Sequence, residues 1–276
     1  MKKIYFTFPC SKVGFIVKTD SEEVLNFLNF FYHLEYYWDD RSTKNSIVYI
    51  EALLDKKKIQ LVQDSKYIGA LDHITDATTM FLNINSIVRS KLKFYDGWNP
   101  YHGAAVNVGE HTFLFLGHTK SGKSTLTAFL ANQQDATIIS EDIVLINYDT
   151  LEVKPYCRPI ILREGGFNIL KDKYGFQLEN FVALDFSFER KYVCSVKPPS
   201  DDLTYYATCS FVLALKNTDV NVEKVSRNEK YLLHSYTHNT LPQNIKSSIK
   251  LDRTLPMYRL EYCDLREVYC FLKTYK

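Results

Sequence analysis

Apolar positions fall in short β-type blocks along most of the chain, broken by a few stretches with helical spacing. Residues 4–8 and 13–17 are rich in β-formers, and Pro9-Cys10-Ser11-Lys12 between them reads as a turn. Residues 47–54 and 59–62 repeat that arrangement across a lysine-rich turn, while the polar stretch 39–46 reads as a loop. Ser21-Glu22-Glu23 opens a helix whose stripe is Val24, Leu25, Phe27, Leu28 and Phe31. The longest helical pattern spans 76–94 and carries Phe81, Leu82, Ile84, Ile87, Val88 and Leu92. It stops at Asp96-Gly97, with Pro100 soon after. This pattern predicts a small N-terminal α+β unit over 1–97, serving as a substrate or accessory unit, and a second domain over 98–276.

In the second domain, residues 101–106 predict a strand, Val108-Gly109-Glu110-His111 a turn, and 112–116 a buried strand. A helix is predicted over 125–130, then strands at 136–140 and 143–146. Beyond Glu152 the chain reads as strands and turns, with strands at 153–156, 160–162 and 192–196. Residues 211–215 and 220–225 read as a strand pair, 232–238 and 265–272 as helices, and 257–262 as a last strand.

The chemistry-bearing motif lies where the buried strand meets the helix: Gly117-His118-Thr119-Lys120-Ser121-Gly122-Lys123-Ser124, followed by Thr125. Glycines let successive backbone N–H groups close on phosphate oxygens, and the following helix presents its positive end. Lys123 supplies a mobile charge and Ser124 a hydroxyl for magnesium. The motif is a P-loop, and it predicts binding of ATP or another nucleoside triphosphate with Mg2+. His118 is expected to point to solvent.

Two carboxylates, Glu141-Asp142, interrupt the apolar run 138–144 just downstream. Unpaired, they would cost several kcal/mol if buried, so a cation or partner is expected. Their strand follows the P-loop helix after one crossover and so is expected parallel and close to the P-loop strand, its carboxyl end on the phosphate rim. Neighbours in a regular strand face opposite ways, so joint use requires a bend or bulge at 141–142. A hairpin with Asn107 facing Thr112 would, counted outward, bring His102 opposite Gly117 at the mouth of the loop. There it could act as acid, base or charged stabiliser. Arg158 and Arg163 flank a Pro/Gly-punctuated stretch. They would either stabilise transferred charge and grip an acidic substrate, or form surface ion pairs.

Composition narrows the classes. A formal net charge of +2 gives no field that argues for nucleic acid or an anionic membrane. The 20 Tyr and 18 Phe are spread along the chain without a basic stripe, so they read as core and strand residues. Six single cysteines, with no C-x-x-C pair, read as a reduced, cytoplasmic protein. No apolar run approaches a membrane span.

Together, Tyr101-His102-Gly103-Ala104-Ala105-Val106, the P-loop and Ser140-Glu141-Asp142-Ile143-Val144-Leu145 resemble the HPr kinase/phosphorylase superfamily. The nearer likeness is to HPr-kinase-like serine kinases of ribosomal-peptide biosynthesis, of the lasso-peptide type. Arg158-Pro159-Ile160 and Leu255-Pro256-Met257-Tyr258-Arg259-Leu260 agree more loosely, and the likeness covers residues 98–276. It implies an α/β fold: a P-loop kinase domain of HPr-kinase type with a small N-terminal α+β subdomain. It implies Lys123 on the phosphates, Ser124 and Asp142 toward magnesium, and Glu141 with His102 near the acceptor hydroxyl. Arg163 completes the expected catalytic set. The family has paired aspartates where this chain has Glu141-Asp142, and a glycine where it has Lys120. Residues 163–168 only faintly echo the longer Gly-rich signature of true HPr kinases, which points away from HPr itself as substrate. The expected partner is a peptide or small-molecule hydroxyl acceptor, with no nucleic acid and no membrane; a homo-oligomer is compatible with the sequence. The competing class is a nucleotide-sensing module that does not transfer phosphate.

Overall fold

The computed structural model describes residues 2–7, 13–19, 26, 46–55, 58–63, 66–71, 98–156, 158–177, 181–186, 189–197, 199, 203–216, 219–226, 251 and 253–276. The helices expected over 21–31 (Asn26, itself helical, excepted), 76–94 and 232–238, the loop 39–45 and the stop at Asp96-Gly97 lie outside the described residues. The protein is mixed α/β, with a large mixed sheet and few helices among the described residues.

Two compact units divide the chain, one over 1–94 with 177–195 and the other over 95–176 with 196–276. The first holds a sheet in the order β1 (Lys2–Thr7), β2 (Val13–Thr19), β3 (Ser46–Asp55), β4 (Lys58–Gln63), β5 (Lys66–Leu71). The predicted hairpins β1–β2 and β3–β4 both form, antiparallel, while β2 and β3 run parallel.

The second unit opens with β6 (Trp98–His102), β7 (Ala104–Val108) and β8 (His111–Leu116), followed by α1 (Lys123–Leu130). Then come β9 (Ala136–Ser140), β10 (Ile143–Asn147), β11 (Glu152–Lys154) and β12 (Ile160–Arg163). Helix α2 (Glu164–Asn168) winds on as a π-helical turn over Ile169–Lys173. The chain then makes a hairpin of β13 (Phe181–Phe186) and β14 (Glu189–Cys194), grouped with the first unit. It ends in the second unit with β15 (Tyr205–Leu215), β16 (Asn221–Lys224), β17 (Met257–Tyr262) and α3 (Leu265–Lys273).

The large sheet runs β6-β10-β11-β15-β8-β7-β9, with β17 beside β15 and β16 beside β17. Its centre is apolar on both faces: Phe113, Leu114, Phe115 and Leu116 of β8 are all buried, as a near-continuous apolar strand requires. Phe211 sits among Phe113, Phe115, Tyr258 and Phe271 with ring centroids 5.8–6.3 Å apart, so these aromatics are core packing. The strand expected parallel and close to β8 is β9, which runs parallel to it with β7 between them, and β15 pairs parallel on the other side of β8.

Three local expectations change. Residues 211–215 and 220–225 are strands, but β17 lies between them, parallel to β15 and antiparallel to β16. Nothing local marks the insertion of a strand some 40 residues later in sequence, and the default that successive strands pair fails here. The strand expected over 101–106 is two strands, broken at Gly103. A Cβ there would lie 2.6 Å from the Phe115 carbonyl oxygen, so only glycine lets the chain turn this close to β8. Residues 164–173 are helical rather than turn, because Gly166 allows α2 to pack on α1: a Cβ on it would meet Thr125 Oγ1 at 2.6 Å. Cys194, Cys209, Cys263 and Cys270 are free thiols. Among the described residues, no helix is long and apolar enough to cross a membrane.

Candidate active site

The phosphate loop takes the conformation its glycines allow. Gly117 (φ 149°) and Gly122 (φ 90°) both adopt left-handed backbone, and a Cβ on Gly117 would meet Ser121 Oγ at 2.5 Å. The Ser121 N–H donates to the His118 carbonyl at 3.1 Å, closing the turn, and Leu126 N–H to Gly122 O at 2.8 Å starts α1. Gly122 caps α1 without a side-chain hydrogen bond, and the first turn holds no acid. The leading N–H groups of the helix therefore face the loop, with its positive end unneutralised, which suits a polyphosphate. Lys123 Nζ donates to the Gly117 and His118 carbonyls, and so lies over the loop. Burial lowers its pKa, while Glu141 and Asp142 pull it back up. His118, Thr119 and Lys120 are exposed at the tip, His118 as expected.

The acid pair occupies a corner where two strands bend together. In β7–β9 Ala105 pairs with Ser140, and in β6–β10 His102 pairs with Ile143, so Gly103 and Glu141-Asp142 span the gap between two ladders. The bend required at 141–142 is present, with a bulge just before it. Register slips by one residue at Ile139, and Asp142 takes a φ of 65°. The Gly103 N–H donates to Asp142 O at 3.2 Å, and Ile143 N–H to Glu141 O at 2.8 Å, which holds the corner. Aspartate is among the few residues that tolerate this backbone region.

Five side chains link up there. Ser124 Oγ donates to Glu141 Oε1 at 2.8 Å; Arg158 Nε donates to Glu141 Oε2 at 3.1 Å; Arg158 Nη1 lies 3.2 Å from Asp142 Oδ2. His102 Nδ1 faces both Asp142 O (3.1 Å) and Asp142 Oδ1 (3.2 Å). Both partners accept, so the proton is assigned to Nδ1 and Nε2 is the basic nitrogen. Arg158 arrives because Tyr156 N–H bonds Ile139 O at 2.9 Å and Tyr156 bridges Ser140, which lays the chain before Arg158 along the end of β9. Glu141 is 4% exposed. Burial pushes its carboxyl above the ordinary glutamate range, against the pull of Arg158, with Asp142 adding to the rise. Burial opposes the charge on Arg158, but Asp142 and Glu141 outweigh it and hold the guanidinium protonated.

The structure thus gathers Lys123, Ser124, Glu141, Asp142 and His102 at one rim. His102 lies against Asp142, one strand break away from the position opposite Gly117 that an unbroken hairpin would give it. The carboxylate meeting Ser124 is that of Glu141, where Asp142 was the expected companion. The guanidinium reaching the acids belongs to Arg158; Arg163 is exposed at the end of β12, leading into α2. The sequence treats Arg158 and Arg163 alike, as charge-stabilising arginines or surface ion pairs, and only Arg163 enters the expected catalytic set. The signal that singles out Arg158 is the demand of a buried carboxylate, Glu141, and its half-buried neighbour Asp142 for a cation, which the arginine nearer in sequence answers. Thr125 packs under Gly166. Ser124 and Glu141 form an all-oxygen pair beside the phosphate loop, the donor chemistry a hard divalent cation takes. Compared with known proteins, the chain matches no family model, and no curated protein resembles it significantly.

Proposed function

We propose that the second unit is an ATP- and magnesium-dependent kinase of HPr-kinase type that transfers the γ-phosphate to a hydroxyl, a serine of a small precursor peptide. The observation that carries this reading is the linked set Ser124–Glu141–Arg158–Asp142–His102 at the mouth of the P-loop. A site that only held nucleotide would have no use for an imidazole oriented by a carboxylate on that rim. The peptide nature of the acceptor rests on the sequence resemblance; a small-molecule hydroxyl is the alternative.

Ser124 and Glu141 would hold the magnesium ion, which when bound supplies positive charge against the phosphate oxygens. Lys123 and the α1 N-terminus bind and align the phosphates. Asp142 fixes the His102 tautomer, leaving Nε2 to accept the hydroxyl proton as the acceptor oxygen bonds to the γ-phosphorus and the bond to the β-phosphate oxygen breaks. Arg158 balances two negative charges and keeps the corner folded.

A second reading, a nucleotide-sensing module without transfer, is favoured by Arg158 itself, because its contacts satisfy both carboxylates internally. One assay separates the two. Wild-type protein incubated with ATP, magnesium and serine-containing peptides encoded by neighbouring genes should yield peptide heavier by one phosphoryl group, and Lys123→Ala should abolish it. Nucleotide binding with no phosphorylated peptide would favour the sensor, and phosphate on a metabolite alone would move the acceptor to a small molecule.

A further inference from the structure

Strand β15 extends beyond the strand it pairs with. Val212 pairs with Leu116, the last residue of β8, so Leu213, Ala214 and Leu215 continue alongside the phosphate loop. A Cβ on Gly117 would lie 3.3 Å from Leu213 O, and one on Gly122 would lie 3.2 Å from Leu215 Cδ2 and 2.5 Å from Tyr262 Oη. The ends of β15 and β17 therefore wall the loop on the side away from β7 and β9. Leu215 is nonetheless 54% exposed, one of four large apolar side chains so exposed among the described residues. Its backbone is firmly placed. Lys216 N–H donates to Tyr262 O at 3.1 Å, Lys216 Nζ pairs with the buried Glu261, and Tyr262 Oη donates to Ser121 O at 3.4 Å. Burial pushes the Tyr262 phenol up, so it remains a donor.

A bound nucleoside triphosphate is an elongated molecule with chemically different ends. Its γ-phosphate belongs at the acid corner, which lies on the β7–β9 side of β8. The nucleoside end must then leave the loop on the other side, over the carboxyl ends of β15 and β17, where open α/β sheets receive ligands. Resting on the nucleotide reading above, we infer that Leu215 is the platform for the nucleoside: the base lies across its side chain and covers the exposed apolar surface. Leu215 is thereby a nucleotide-affinity residue with no part in the chemistry. The Lys216–Glu261 pair and the Tyr262 hydroxyl are positioning groups, holding the platform against Gly122.

The test compares two ligands on the full chain by calorimetric titration in magnesium: ATP, and tripolyphosphate, which lacks a nucleoside. Leu215→Asp should weaken ATP about tenfold, the worth of one buried apolar side-chain contact, and leave tripolyphosphate within about twofold. Leu215→Phe, which preserves an apolar face, should keep ATP binding within about twofold of wild type or tighten it. Loss of both ligands alike in Leu215→Asp, or no loss of ATP, overturns the platform, as does wild-type protein binding tripolyphosphate as tightly as ATP. If wild-type protein binds neither ligand, the P-loop reading itself fails, and this inference fails with it.

Discussion

Lys120 sits at the tip of the phosphate loop with a φ of 70°, in the backbone region that glycine enters freely and other residues enter at a cost of about 1–2 kcal/mol. This is the position at which the resembled family carries glycine. The loop keeps a glycine-type backbone there while carrying a different side chain, so the departure adds strain and surface charge. Lys120 and Asp142 are two of only three non-glycine residues with positive φ among the described residues, and both belong to the site. Strain gathered at a site is the pattern expected where geometry is held for function. Lys120→Gly should therefore stabilise the protein, by about 0.5–1 kcal/mol once the greater freedom of glycine in the unfolded chain is subtracted. Urea unfolding of the two proteins checks this. A loss of stability in the glycine variant would show that the Lys120 side chain makes a compensating contact.

Among the elements, those defined by local pattern were legible and those defined by long-range packing were not. The hairpin register Asn107↔Thr112, the strand Met257–Tyr262 and the helix begun at Leu265 follow from alternation, turn chemistry and a stripe of Leu265, Val268 and Leu272. The corner at Gly103 and the place of β17 between β15 and β16 depend on what lies opposite in space, and no local pattern carries that. The same limit governed the site. Gly117–Ser124 is a contiguous motif and could be read outright, whereas the choice of Arg158 over Arg163, and of Glu141 as the partner of Ser124, depends on the bend at 141–142. Helix α3 gives this scale its prediction. Asp264 Oδ1 accepts from the Arg266 N–H at 2.7 Å, and Oδ2 pairs with Lys173 at 2.9 Å. Burial alone raises the Asp264 carboxyl, but Lys173 and the Arg266 N–H outweigh it and hold it below its ordinary value of 3.8. A carboxyl with a depressed folded-state pKa stabilises above its unfolded value and loses that contribution as pH falls through the folded value. Asp264→Ala should thus cost about 1 kcal/mol at neutral pH. The gap between wild type and variant should close as the pH is taken from neutral to well below 3.8, which thermal unfolding across pH can follow. A gap that stays constant would mean that Asp264 acts through packing alone.

For the whole molecule, the chain enters the first unit, passes to the second, returns for 177–195 and ends in the second. Each unit is therefore built from two separate segments, and residues 192–196, read from sequence as part of the second domain, fall mostly in the returning hairpin. All of the groups assigned to nucleotide, from His102 to Tyr262, belong to the second unit. A ligand that binds only the folded form of one unit stabilises that unit by about 2.7 kcal/mol at one hundred times its dissociation constant. Magnesium and ATP should accordingly raise the thermal unfolding transition of the second unit and slow amide exchange at residues 117–125 and 140–143, leaving exchange at 2–7, 13–19 and 46–55 unchanged. Lys123→Ala should remove both effects. The small net charge of +2 makes a general salt effect on the fold weak, so a shift reproduced by sodium chloride at matched ionic strength would count against specific binding. Equal protection in both units would mean that the ligand is read across the whole chain, and the phosphate loop would then be one part of a larger responding body.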